Sequence, residues 1–224
     1  MIDARSMFRM GLIAVGLAAA WFLLVFIPLS GDIRYEAQEP WSVGTTEEAF
    51  DYAGEGVRAV QGTAVLRIDS NTSRGILEFD LSPDDALTAL FDDETLERSF
   101  VLRMRLGGAD AVWIDRIVHG DSEIGESRLP AIQALYAGSG RFELLIDGVR
   151  QSVRWQGFWS IGNALRQPDG SIRDQGLVFS PLLRDQSGFS DPDRTELTLL
   201  IYDSPDSDVV ILHLVFPNVR AIEG

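Results

Sequence analysis

Histidine is the side chain best suited to proton transfer near neutral pH and a common metal ligand, and it occurs only twice in this chain. His119 alternates with Asp121 and Glu123 at the end of a predicted strand, and His213 lies in an almost wholly apolar segment. A metal site would need both histidines and a carboxylate to converge. Nothing in their spacing requires this, so we predict no metal site there and expect His213 to be a hydrogen-bonded core residue.

The acidic segment 185–196 is the second place where metal ligands could gather. Its oxygen-bearing side chains are Asp185, Ser187, Asp191, Asp193 and Glu196. Hard oxygen ligands of this kind suit Ca²⁺, but the segment lacks the spacing and the terminal glutamate of an EF-hand loop. A solvated acidic loop is therefore the favoured interpretation, with a site using Asp191 and Asp193 as the alternative.

Signatures of known catalytic sites are missing. The segment from Gly157 to Gly162 has its serine one place too late for a G-x-S-x-G nucleophile elbow. There is no H-E-x-x-H, phosphate-binding loop or dinucleotide-binding glycine motif. The absence of cysteine excludes thiolate nucleophiles and disulfides. The sequence favours a non-enzymatic protein, and we predict no cofactor.

Aromatic residues could instead form a binding surface. Trp155 and Trp159 share one face of a predicted strand and Phe158 points to the other, because side chains repeat every two residues. Exposed, they would stack on a sugar ring or hold a partner; buried, they would be core, which the size of their apolar surface favours. We keep all three as partner-binding candidates.

The elements that would position these residues are mostly strands. From residue 57 onward apolar residues alternate with polar ones, tight turns such as Asp147-Gly148 separate the runs, and about nine or ten strands result. Two short helices are expected, one beginning at Ser82-Pro83 and one over Leu129–Ala137 that stops at Gly138. This pattern predicts an antiparallel β-sandwich or barrel.

The last predicted strand, Val209–Phe216, is apolar on both faces apart from His213. A strand with one face in solvent should alternate, so this strand should be covered on both sides, either by a helix of its own domain or by a partner subunit. Ile211 and Leu212 are therefore further partner-binding candidates.

An uninterrupted apolar run extends from Met10 to Leu29. Its length of roughly 20 residues suits a membrane-spanning helix and exceeds a typical signal-peptide core. Cleavage after the alanines at 18–20 would leave a strongly apolar new N-terminus, so an uncleaved anchor is favoured. Gly16 and Ala20 are four apart, a spacing that lets membrane helices pack closely.

Charge orients this predicted anchor. Arg5 and Arg9 precede it, and positive residues stay on the cytoplasmic side. We therefore predict a cytoplasmic N-terminus (1–9), a single transmembrane helix (10–29), an acidic stalk (30–56) and a periplasmic β domain (57–224) in a bacterial inner membrane. All 19 basic residues are arginine, which indicates a GC-rich genome.

A net charge of −15 disfavours binding to nucleic acid and electrostatic adhesion to anionic lipid, and permits a basic partner. The leading hypothesis is a non-enzymatic accessory, structural or assembly subunit of an inner-membrane complex, of respiratory or photosynthetic type, with other integral membrane subunits as partners. One alternative is a tethered glycan-binding module or hydrolase, with Trp155 and Trp159 as the sugar platform and Asp115 or Asp121 nearby. Another is a lipocalin-like barrel that carries a lipid or quinone, with a continuous apolar cavity.

Overall fold

A computed structural model describes residues 32–44, 49–69, 72–82, 99–107, 111–153, 155–204 and 207–222. Within these residues, no helix combines the length and the apolarity that a membrane crossing requires. The predicted segments 1–9 and 10–29, with Gly16 and Ala20, lie outside the described residues, as does the body of the helix expected after Ser82.

Nearly all regular structure in the described residues is β-strand. In chain order the strands are β1 (Asp32–Gln38), β2 (Trp41–Gly44), β3 (Arg58–Ala59), β4 (Gly62–Asp69), β5 (Arg74–Leu81), β6 (Phe100–Leu106), β7 (Ala111–Val118), β8 (Ile132–Ile146), β9 (Val149–Arg150), β10 (Trp155–Ala164), β11 (Arg173–Asp174), β12 (Leu177–Val178), β13 (Asp191–Tyr202), β14 (Val210–Phe216) and β15 (Asn218–Ile222). Short 3-10 helices cover Gly120–Ser122 and Ser187–Phe189.

Thirteen of these strands form one antiparallel sheet that curls into a half-barrel. Its order is β15-β1-β4-β5-β6-β8-β10-β13-β14-β2-β3, and β7 and β9 pair with β8 beside this path. Strands β6 and β7 occupy successive stretches of the same edge of the long strand β8. The predicted antiparallel β domain is confirmed, and its architecture is a single curled sheet.

Strands β4 and β5 show how alternation in the sequence produces this sheet. Leu66 and Phe79 are buried, while their neighbours Arg67 and Glu78 face outward. The predicted turn between β8 and β9 is also present, because Asp147 and Gly148 adopt φ of 48° and 76°, as a tight hairpin turn requires.

The sheet has a separate apolar core on each face. Phe79 on β5 and Phe216 on β14 lie far apart in strand order, yet their ring centroids are 5.6 Å apart, so this inner core fills the inside of the curl. The outer core lies on the opposite face of the central strands, where Phe158 and Leu200 are covered by loops. The central strands are therefore buried on both faces.

The helix predicted over Leu129–Ala137 is wrong, because residues 132–146 form the long strand β8. Gly138 suggested a helix end, but it is a strand position where a Cβ atom would lie 2.7 Å from Nε1 of Trp159. The glycine is needed for close approach to a neighbouring strand, which a single sequence presents in the same way as a helix cap.

The predicted stalk over 30–56 is also wrong for the residues that the structure describes. Ile33, Tyr35 and Ala37 of β1 pack toward the inner core, while Arg34 and Glu36 alternate with them. Strand β2 pairs with β14, and Ala49 is fully buried in the outer core. Acidic and glycine-rich composition concealed a short alternating strand.

The prediction that the closing strand is covered on both faces is confirmed. Every residue of β14 is buried. Leu212, Leu214 and Phe216 belong to the inner core, whereas Val210 belongs to the outer core. Within the described residues, the cover comes from strands and loops of the same domain and not from the expected helix.

Candidate functional site

A groove of about 700 Å³ opens on the outer face of the sheet, between the loop after β7 and strands β10 and β13. Trp113 and Phe158 form an aromatic wall, with ring centroids 6.2 Å apart. Glu126, Arg128 and Tyr202 supply the polar wall. Aromatic, charged and hydroxyl side chains therefore meet in this groove.

The loop that forms one side of the groove begins in an unusual backbone conformation. His119 has φ 68° and ψ 178°, a region that residues with a Cβ atom rarely adopt. The strain is held by two backbone hydrogen bonds, from His119 N to Ile124 O at 2.7 Å and from Gly120 N to Leu129 O at 2.9 Å. The turn places the imidazole directly beneath the loop, where it is fully buried.

His119 lies next to Ser160, a pairing that resembles a nucleophile and its general base. Nε2 of His119 is 3.5 Å from Oγ of Ser160, and Nδ1 accepts a hydrogen bond of 3.0 Å from Glu126 N. A neutral imidazole carries one proton, which must then be on Nε2. Ser160 therefore accepts a hydrogen bond from the histidine, the reverse of what activation of the serine requires. Burial lowers the pKa of His119 to about 4, so the ring is neutral at physiological pH.

Glu126 is the most heavily bonded side chain in the groove. Its Oε1 accepts from Arg128 N at 3.0 Å and from Arg128 Nε at 2.8 Å. Its Oε2 accepts from Arg128 Nη2 at 2.7 Å and from the Tyr202 hydroxyl at 3.1 Å. Burial by itself raises the pKa of Glu126, but these donors outweigh it and leave the pKa below its ordinary value. Both oxygens are thus occupied within the chain.

Arg128 connects this carboxylate to the rest of the groove. Its guanidinium stacks over the Phe50 ring at 4.1 Å and donates to the carbonyl oxygen of Asp208 at 2.9 Å. The Tyr52 hydroxyl donates to the carbonyl oxygen of Arg128 at 2.8 Å. The groove wall is therefore fixed at several points, which favours binding with little rearrangement.

A second buried polar cluster holds the segment from which Phe50 and Tyr52 project. Nη1 of Arg166 donates to Asp51 O at 2.8 Å and to Gly170 O, and Arg166 N donates to Glu196 Oε2 at 3.2 Å. Nδ1 of His213 lies 2.7 Å from Ala49 O. Burial raises the pKa of Glu196 and lowers that of Arg166 to about 10.

The sequence candidates for partner binding lie inside the domain. Trp155 and Trp159 are 8% and 0% exposed in the inner core, so neither indole is available to stack on a sugar. Ile211 and Leu212 are buried in the same core. Phe158 alone lines the groove, and it is 4% exposed.

The sequence candidates for metal binding do not come together. His119 is engaged through both ring nitrogens and Asp121 is exposed. The Asp191 carboxylate accepts from Asp193 N at 3.0 Å within its own turn, whereas Glu196 is buried beneath. In the described part of the chain, no group of three or more histidine, aspartate or glutamate side chains is placed to hold a metal ion.

The sequence does not predict the groove residues Glu126, Arg128 and Tyr202, because they lie up to 76 positions apart. The one local feature in the sequence is an acid and a base two positions apart, Glu126 and Arg128, in a segment without a periodic apolar pattern. Comparison of the chain with protein-family models, with curated proteins and with solved structures finds no match.

Proposed function

We propose that this chain is a non-enzymatic accessory or assembly subunit of a bacterial inner-membrane complex, of respiratory or photosynthetic type. Residues 10–29 would anchor it, and the β domain would bind a partner subunit through the groove on its outer face. The observation that carries the proposal is the bonding within the groove wall: the Glu126 carboxylate bonds the Arg128 guanidinium and the Tyr202 hydroxyl. Such a wall supplies a fixed surface, and none of these three groups is poised for proton transfer.

The charge of the groove indicates the kind of partner. Glu126 and Arg128 neutralise each other, whereas Glu123 and Asp208 are exposed acids at its mouth. We therefore propose a basic patch on the partner, which an acidic mouth attracts and orients.

Detergent extraction from the native membrane, native sizing and mass spectrometry test this function. We expect a complex with other membrane subunits, weakened by salt. Glu123→Arg should reduce co-purification, while Asp193→Arg, a matched change at an exposed acid outside the groove, should not. A lone monomer in mild detergent would count against the proposal, and equal effects of the two variants would exclude the groove as the contact.

The proposed location has a separate test. If Arg5 and Arg9 orient the anchor, a periplasm-active reporter fused after Gly224 is active and a cytoplasm-active one is silent. Replacing both arginines with glutamate should weaken this preference. The reversed reporter pattern would contradict the periplasmic placement.

The two alternatives receive less support from the geometry. The indoles proposed as a sugar platform are inside the inner core. A lipid or quinone carrier needs an internal apolar cavity, whereas the groove described above opens on the outer face of the sheet, outside that core. Neither alternative has an observation that favours it over a subunit role.

A further inference from the structure

The domain begins almost immediately after the proposed membrane span. Strand β1 starts at Asp32, and the apolar run ends at Leu29, so only Ser30 and Gly31 separate them. Even in a fully extended chain, the three residue steps from Leu29 to Asp32 cover at most about 10 Å. The headgroup layer on each side of the hydrocarbon core is itself roughly 5–8 Å thick. With no stalk in between, the end of the domain where β1 starts cannot lie far from the lipid.

Sheet topology identifies which other residues lie at that end. Strands β1, β4, β5, β6 and β8 are successive antiparallel neighbours, so β1 and β8 run in the same direction. The N-terminal ends of β1 and β8 therefore point toward one end of the sheet. The pairing register sets Asp32 level with about Gly140, so the first half of β8, with β7 paired to it, projects beyond the start of β1 at this end. The rings of Tyr35 on β1 and Tyr136 on β8, 5.7 Å apart, bring the two strands together.

This end carries exposed apolar side chains. Ile114, which pairs with Tyr136, is 46% exposed, and the neighbouring Leu135 is 43% exposed. Ile117, near the end of β7, is 57% exposed. They are three of the seven large apolar side chains that the described residues expose, and they lie within four positions along one strand pair.

We propose that this end of the domain, which we call the β7–β8 tip (Ile114, Ile117 and Leu135), rests in the headgroup layer of the membrane. The inference depends on the proposed span of residues 10–29. Arg116, between the two isoleucines, is exposed and makes no ion pair with another described residue, so its guanidinium is free to reach lipid phosphates. The proposed span holds the domain close to the lipid, which the acidic domain would not approach through its own charge.

The chain's lack of cysteine makes single-cysteine labelling a direct test. The full chain is placed in phosphatidylcholine–phosphatidylglycerol vesicles with an environment-sensitive fluorophore at Ile117→Cys or Leu135→Cys. The matched control is Val149→Cys, which is 63% exposed and lies roughly 40 Å away along β8. We expect blue-shifted emission, and quenching by lipids spin-labelled near the headgroup, at the two tip positions and neither effect at Val149.

A label at Ala19→Cys, with lipids spin-labelled at the end of the acyl chain, reports on the span itself. Quenching at Ala19 with tip labels that behave like the Val149 label would overturn the inference and leave the anchor standing. Failure at Ala19 would refute the anchor, whereas the tip labels would still decide contact with lipid. Tip labels shielded from water without lipid quenching would overturn the inference in favour of a protein contact.

Discussion

The two histidines are both fully buried on the outer face of the sheet, but their ring nitrogens have opposite partners. Nδ1 of His119 accepts from Glu126 N, whereas Nδ1 of His213 faces the carbonyl oxygen of Ala49, which only an N–H can bond. The proton is therefore on Nε2 in His119 and on Nδ1 in His213. Because its proton is on Nε2, His119 cannot accept a proton from Ser160. Its tautomer, and not its position beside the serine, therefore makes it a structural residue.

This difference is measurable because the chain contains only two histidines. Imidazole nitrogen chemical shifts should show one ring of each neutral tautomer at neutral pH, and His213→Gln should remove only the Nδ1–H ring. Two rings of the same tautomer would contradict the hydrogen-bond assignments. An Nδ1–H form of His119 in particular would leave Nε2 able to accept a proton from Ser160.

Glu126 should contribute more to stability than other ion-paired carboxylates in the chain. Its side chain is 7% exposed, whereas that of Glu78, which pairs with Arg103, is 38% exposed. Removing the charge of Glu126 leaves Arg128 without its partner in a partly buried site. Glu126→Gln should lower the free energy of unfolding by about 2 kcal/mol, and Glu78→Gln by less than about 1 kcal/mol. Urea unfolding of the two variants decides, and equal losses would count against a special role for the groove pair.

Among the strands, β14 is the one whose burial a single substitution tests most directly. Leu212 is fully buried in the inner core, so a lysine there would place an unpaired charge in an apolar region. Leu212→Lys should cost about 4 kcal/mol of stability. Val209→Lys, at a position 51% exposed just before the strand, should cost less than about 0.5 kcal/mol. A Leu212→Lys protein whose unfolding midpoint is close to that of the unsubstituted chain would show that β14 is not covered as described.

The strands with one face in solvent are the most clearly marked in the sequence, although the fully buried β14 is also predicted, from its continuous apolar run. In β4, β5 and β6 buried apolar residues alternate with exposed polar ones, and the period of two is visible in the sequence. The first half of β8 failed because a bulge at Leu135 interrupts its alternation and Gly138 resembles a helix end, whereas the second half alternates. Strand β1 failed because its alternation is short and lies within acidic composition.

The groove was not predictable in the same way. His119 was singled out for its chemistry, but its strained backbone and buried partners depend on a loop that carries no periodic signal. Glu126 and Tyr202 meet only because β8, β10 and β13 are neighbours in the sheet. Strand order depends on long-range pairing, which a single sequence does not encode locally.

For the molecule as a whole, the sheet separates two cores with different character. The inner core holds large apolar side chains enclosed by the curl. The outer core contains both histidines, Arg166 and Glu196 beneath loops. Loops carry few regular backbone bonds, so buried side-chain hydrogen bonds replace them on this face. Both histidines of the chain therefore lie buried on this face.

Acidification should destabilise the folded protein through these two histidines. Burial lowers their pKa values to about 4 for His119 and about 3 for His213, so below the ordinary value of 6.5 the unfolded chain binds protons that the folded chain excludes. The free energy of unfolding should then fall between about pH 6.5 and pH 4, by about 2 kcal/mol per histidine at pH 5. Glu196 acts in the opposite direction, because its raised pKa lets the folded state take up a proton first. Urea unfolding of the full chain in detergent, followed by tryptophan fluorescence at about pH 7 and about pH 5, measures the difference. His213→Gln should remove about half of it, and an unchanged slope in that variant would contradict the buried neutral state of His213.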